Sequence, residues 1–346
     1  MREESSSWPR RNPNDLLSSI YTGVPLRNSG HPRYGVAALC PIRRQPMHWR
    51  LPTVFEWKAT WKRADWRNKS SEPAVPLSKI QTEVLRLLAS HRDPESYVGG
   101  STPLTRGMPR YSADIDIFHD REERVAQAAQ EDSAFLEEHG YTLKWLRRDP
   151  LIYTVLVGRG GETTKMEWVA DSDFRFFPTI KDETFGYILH PVDLAVNKVS
   201  AAYGRREPRD IVDLLTIHEQ ILPVGAAVWA SVGNAPGFSP EGIINEIRRT
   251  ARYTVEDFRR IASDPPVDAG ATMTRLRQVL AEAETFVMQM PTEKAGLLFL
   301  NGGNVVQPDP SRLDEYRTHA GKRHGHWPTS AEISAAMVDR YKNPKL

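Results

Sequence analysis

Two aspartates one residue apart, Asp114 and Asp116 in the run ADIDIF, can hold a metal if they lie on a strand. Residues i and i+2 of a strand project to the same face. The two carboxylates then stand side by side, about 7 Å apart at Cα for a rise of ~3.3 Å per residue. Ile115 and Ile117 point the other way, into a core. Paired carboxylates repel one another and lose hydration unless a cation sits between them. An all-oxygen set on a rigid strand suits Mg²⁺, which takes one or two carboxylates together with substrate phosphates. Upstream lies Gly99-Gly100-Ser101, with 13 residues between Gly100 and Asp114. Glycines admit close backbone approach, and successive N–H groups with a hydroxyl make an anion-binding concavity. Either feature alone reads as an ordinary turn or a solvated edge. Together they give a phosphate cradle beside an acidic pair, the layout that phosphoryl or nucleotidyl transfer needs.

The full stretch, VGGSTPL followed by RYSADIDIF, resembles the signature of the DNA polymerase β-like nucleotidyltransferase superfamily, and more narrowly the AbiEii/AbiGii toxin nucleotidyltransferases. The resemblance covers about residues 78–222. It implies an enzyme that pairs with an antitoxin protein, and a third carboxylate on a later strand completing the metal site. Glu167 in KMEWV matches that position, with Asp171 and Asp173 as fallbacks just past the strand end. Alternation over 163–169 puts Thr164, Met166 and Trp168 on one face and Lys165, Glu167 and Val169 on the other. Lys165 can then contact a triphosphate or pair with Glu167. The resemblance also implies an active-site Lys in a P-x-D-L-x-x-x-K helix and an Asp in an R-D-x-x-D-L helix. Lys198, Asp210 and Asp213 are the matching residues, with Arg209 beside them. Asp210 and Asp213 share one helical face at i and i+3, where either can orient Lys198 or the acceptor. Unaided, Lys198 reads as a surface residue whose stem lies along apolar neighbours, and its removal should cost less than ~1 kcal/mol of stability.

These residues need elements to hold them. Ser78 and Gln81 form a capping box that opens a helix with a stripe of Ile80, Val84, Leu87 and Leu88, which should pack behind the strand at 97–100. Asp120 is expected to cap a helix over 121–138 that ends at Gly140. Runs 141–146, 151–157 and 163–169 read as strands. Pro191 and Asp193 open a helix ending at Gly204, and Pro208 starts the next. Beyond residue 224 the pattern is helical, with stripes after Ser239 and over 273–288 and a small hairpin over 297–306. His319, His324 and His326 read as part of a basic loop, poor in the acid or Cys partners a metal site needs.

Composition bounds the rest. The 346 residues carry a formal charge of +2, so the whole chain bears no strong nucleic-acid signal. One cysteine, Cys40, excludes a disulfide framework and a Cys-rich zinc site. With no apolar run of ~18 residues and no leader-like start, a soluble cytoplasmic protein without a membrane span is expected. Residues 1–72 differ, with 13 Lys and Arg against 6 Asp and Glu and five of the nine tryptophans. A disordered extension is the preferred reading. A single-stranded nucleic-acid contact and a translation start downstream, for example at Met47, are the alternatives.

The expectation is thus an α+β protein: a basic extension over 1–75, a nucleotidyltransferase core of mixed sheet and flanking helices over 76–190, and a mainly helical region over 191–346. It should move a nucleoside monophosphate from an NTP to an acceptor hydroxyl, with two Mg²⁺ ions. Asp114, Asp116 and Glu167 would bind metal. Gly99, Gly100, Ser101 and Lys165 would bind nucleotide, and Lys198 with Asp210 and Asp213 would support catalysis. The family implies tRNA as an acceptor and an antitoxin as a partner. A protein or small-molecule acceptor such as an antibiotic, and a non-catalytic nucleotide-binding module, are the alternatives.

Overall fold

The computed structural model describes residues 77–105, 110–235 and 237–323. The expectations for residues 1–75 and for His324 and His326 fall outside these residues. Seven strands form one mixed sheet: β1 (Ser96–Val98), β2 (Asp114–His119), β3 (Thr142–Asp149), β4 (Ile152–Arg159), β5 (Glu162–Ala170), β6 (Ile180–Asp182) and β7 (Gly186–Ile188). Their order is β3-β4-β5-β2-β1-β7-β6. The β2–β5 and β1–β7 pairs are parallel and the others antiparallel.

One face of this sheet is apolar because the alternation predicted for β2 and β5 is obeyed. Ile115, Ile117, Met166, Trp168, Val155 and Val157 are buried there against helices α1 (Lys79–Leu88) and α2 (Glu122–Glu138). Burying each such side chain contributes roughly 1.5–3 kcal/mol. Helix α1 starts where the sequence placed it: the Ser78 hydroxyl accepts from Gln81 N–H and the Gln81 side chain accepts from Ser78 N–H. Helix α2 corrects an expectation, since its N-cap is Arg121 and no side chain caps it. Asp120 is instead drawn into a buried ion pair with Arg175, and a carboxylate held by a guanidinium is not free to cap. The helix ends before Gly140, whose φ of +80° only glycine adopts without strain.

The sheet gives way to helices between Ile188 and Pro191: α3 (Pro191–Gly204), α4 (Pro208–Gln220), α5 (Val224–Ser231), α6 (Pro240–Thr250), α7 (Val255–Arg259) and α8 (Ala269–Gln289). Proline at the first turn suits α3, α4 and α6, because its missing N–H is one the helix leaves unpaired anyway. Every residue of α5 is buried, so this apolar helix forms the centre of a second core around Trp229, Leu214, Ile243 and Phe286. The hairpin expected over 297–306 is present as β8 (Leu297–Asn301) and β9 (Asn304–Val306). A third strand, β10 (Arg317–Ala320), pairs with β8 where a basic loop was expected. His319 lies on it, buried, with Nε2 2.7 Å from the Phe176 carbonyl oxygen and its ring stacked on Phe177. The short hairpin β6–β7 was not read from the sequence either; its strands have three residues each, too few to show a period. Among the described residues no single helix is long and apolar enough to cross a membrane.

Candidate active site

Strands β2 and β5 run parallel with Asp114 opposite Lys165 and Asp116 opposite Glu167. This register places all four side chains on the sheet face away from α1 and α2. Asp114, Asp116 and Glu167 each offer a carboxylate oxygen, and the three oxygens lie within 4.8 Å of one another. Asp171 and Asp173, the fallback acids, stay outside: Asp171 accepts from the Tyr97 hydroxyl at 2.6 Å, and Asp173 lies 4.0 Å from Arg323. The Lys165 ammonium lies 3.0 Å from Asp114 Oδ2 and 3.1 Å from Glu167 Oε1. Burial works against its charge, but the two carboxylates outweigh that and hold its pKa above the usual lysine value. Burial first, then the charge of Asp114 and to a lesser extent that of Glu167, push Asp116 up to about 6, with Lys198 and Lys165 opposing. Three crowded carboxylates, one of them with a raised pKa, fit a hard divalent cation.

The glycine turn closes over this cluster. Gly99 N–H donates to the Asp116 carbonyl oxygen at 3.0 Å, tying the turn to β2. Gly100 has φ +64°, and a Cβ there would lie 2.0 Å from Asp116 Oδ2. The position therefore requires glycine twice over, for its backbone and for the space the carboxylate fills. Ser101 is buried, with Oγ 3.4 Å from Ser112 Oγ. Thr102 and Ser112 both donate to the Asp114 carbonyl oxygen, at 3.2 and 2.9 Å. These hydroxyls fix the start of β2 relative to the turn.

The helices bring the cations. Lys198 on α3 and Asp213 on α4 meet at 2.7 Å, both buried. This corrects the expectation of a surface lysine: its side chain is only 8% exposed, and its partner's not at all. The two helical aspartates separate in role. Asp213 binds Lys198, whereas Asp210 takes a bidentate contact from Arg205 at 2.7 and 2.9 Å. Arg209 extends its guanidinium to 3.9 Å from Asp114 Oδ2.

No protein-family model matches the sequence, and no curated protein matches it significantly. Among solved structures the chain is similar to MenT4, a nucleotidyltransferase toxin from Mycobacterium tuberculosis H37Rv, at 16% identity and a TM-score of 0.41, over 59% of this chain and 82% of that one. It is also similar to a nucleotidyltransferase from H. pylori, so described from its crystal structure, at 14% identity and a TM-score of 0.39, over 61% and 94% of the two chains. A third likeness is to Cid1, an RNA terminal uridylyl transferase, at 13% identity and a TM-score of 0.23, over 48% and 46%. Likenesses at these scores carry no weight of their own, and the functional reading rests on the site.

One residue of the site was not found by sequence reasoning. Arg110 donates from Nε and Nη2 to the two carboxylate oxygens of Asp213 at 2.8 and 3.0 Å. Asp213 thus carries two cations, and although burial alone would raise its pKa, Lys198 and Arg110 hold it below the usual carboxylate value. Arg110 directly precedes the YSADID run, yet its partner is 103 residues away. The available signal was an arginine beside a candidate metal-binding motif whose own acids need no arginine.

Proposed function

We propose that this chain is a Mg²⁺-dependent nucleotidyltransferase that moves a nucleoside monophosphate from an NTP to an acceptor hydroxyl. The observation that carries the reading is the union of Asp114, Asp116 and Glu167 within 4.8 Å beneath the Gly99-Gly100 turn. Mg²⁺ ions held by these three carboxylates would neutralise charge on the attacking and leaving oxygens of an in-line displacement. The turn's backbone and Ser101 would bind the β- and γ-phosphates. The acceptor oxygen forms a bond to the α-phosphorus as the bond to the bridging α–β oxygen breaks, and pyrophosphate leaves. The hydroxyl proton passes to Glu167, whose side chain is 20% exposed against 8% for Asp114. Lys198, fixed by Asp213, would stabilise charge developing on the phosphates.

A phosphate-bearing acceptor such as tRNA is favoured by the neighbouring strands. Thr154 opposes Glu167 across β4–β5 and donates to its carboxylate at 3.1 Å, so it lies on the acidic face. Arg147 opposes Thr154, and Lys144 opposes Leu156, the residue paired with Lys165. Both cations are exposed on that same face, at the edge strand of the sheet. The sequence resemblance supports a toxin-like role with an antitoxin partner, and we place that role in the cytoplasm on the sequence's lack of a long apolar run. The test is incubation with each α-labelled NTP, Mg²⁺ and total tRNA. Asp114→Asn and Asp116→Asn are expected to keep the fold and lose label transfer together with Mg²⁺-dependent nucleotide binding. Full transfer by either variant would remove the reading. Label entering protein rather than tRNA would keep the chemistry and change the acceptor.

A further inference from the structure

The geometry points to Lys165 as an internal counter-ion that competes with metal, so that metal and nucleotide load together; this rests on the nucleotidyltransferase reading above. A lysine ammonium bridges Asp114 Oδ2 at 3.0 Å and Glu167 Oε1 at 3.1 Å, two of the three carboxylates gathered for a divalent ion. Mg²⁺ binds carboxylate oxygens at about 2.0–2.1 Å and demands near-octahedral geometry. An ammonium and a metal therefore do not bridge the same two oxygens at once. The alternative of an ordinary structural pair does not account for the crowding. Glu167 Oε1 already accepts from Thr154, and Asp114 Oδ2 already faces Arg209 at 3.9 Å.

The backbone of Lys165 cannot move aside, because it opposes Asp114 in the β2–β5 register and Leu156 in β4–β5. Only the head group can leave. It has a route, since the side chain is 35% exposed. A flexible four-carbon stem and a compact charge suit such a transfer better than a guanidinium fork. With the cluster taken by metal, the ammonium needs another anion, and the nearest new one is the triphosphate that arrives with that metal. Each ligand then makes room for the other, which is a positive coupling free energy between the two.

Mn²⁺ serves as the probe, counted by electron paramagnetic resonance with and without a non-hydrolysable α,β-methylene NTP. Wild type is expected to bind Mn²⁺ weakly alone and at least about tenfold more tightly with the analogue, within the usual range of coupling. Lys165→Met should bind Mn²⁺ alone about tenfold more tightly than wild type, and the analogue's enhancement should shrink to match. Lys165→Gln is the second variant should the first not fold, with thermal unfolding as the check on each. Lys165→Arg, which keeps the charge, should retain weak binding. Unchanged Mn²⁺ affinity in both neutral variants would overturn the proposal. So would an equal gain from Arg209→Gln, because a general change in charge would then suffice. A wild type that binds no Mn²⁺ even with the analogue would instead overturn the nucleotidyltransferase reading.

Discussion

Asp213 is where removing a single charge should hurt most. It is fully buried between Lys198 and Arg110, the three forming a +2/−1 cluster with little access to water. Taking away one cation leaves the carboxylate paired with the other. Taking away the carboxylate leaves two buried cations facing each other, and an uncompensated buried charge costs on the order of 3–5 kcal/mol. Asp213→Asn is therefore expected to be less stable than Lys198→Met or Arg110→Met, by about 2 kcal/mol or more. Urea unfolding of the three variants checks the order. Lys198→Met as the least stable of the three would mean that its contacts with the helix, not its charge, hold the site. Lys198→Met should nonetheless lose transfer, by ~10²-fold or more, the scale for one preorganised electrostatic group.

At the scale of the element, β2 carries the acids at its start and a buried histidine at its end. His119 is fully buried, and neither ring nitrogen has a hydrogen-bond partner among the described residues. Burial first, then the cations of Arg92 and Arg124, lower its pKa to about 4, with Asp132 and Asp93 opposing. The folded value lies below the unfolded one of 6.5, so the folded state resists the proton. Stability from the neutral ring is complete above pH 6.5 and is lost as pH falls towards 4, a span worth about 3 kcal/mol. His119→Leu, compared with wild type at each pH, should gain in relative stability through that window and stay level above it. A difference that does not change with pH would show that His119 titrates alike in both states. The same strand shows what the sequence makes legible. Its alternation, the paired acids and the glycine turn are local, and a period of two over six residues is enough to read. Asp120, one residue further on, was misread because its partner Arg175 lies 55 positions away. Strands β6 and β10 gave no signal for the same reason: three or four residues become a strand only through the neighbour they pair with.

For the whole molecule, the site ties the sheet to the helices. Asp114, Asp116, Lys165 and Glu167 come from strands, while Lys198, Arg209 and Asp213 come from α3 and α4. The joining goes beyond the site. Phe176 and Phe177, which follow β5, are buried in the helical core beside Val192 and Val196. Their N–H groups donate at 2.7 and 3.0 Å to Asp193, in the first turn of α3, whose pKa burial raises to about 7 against these bonds and Arg175. Tyr111 N–H, just before the acidic strand, donates to the Ala262 carbonyl oxygen at 2.9 Å, beyond α7. The described residues accordingly fall within one compact unit. The division at 190/191 expected from the sequence coincides with the change from strands to helices, and we propose that the two parts melt together. Calorimetry should give one transition, with calorimetric and van't Hoff enthalpies equal. A fragment ending at residue 190 would expose Phe176 and Phe177, leave the Asp114–Asp116–Glu167 cluster without Lys198, and should show no cooperative melt. Supplying residues 191–346 as a separate chain should restore both the melt and the Lys198–Asp213–Arg110 cluster. Two resolved transitions in the intact protein, or a cooperative melt of the fragment alone, would show that sheet and helices fold independently and only meet at the active site.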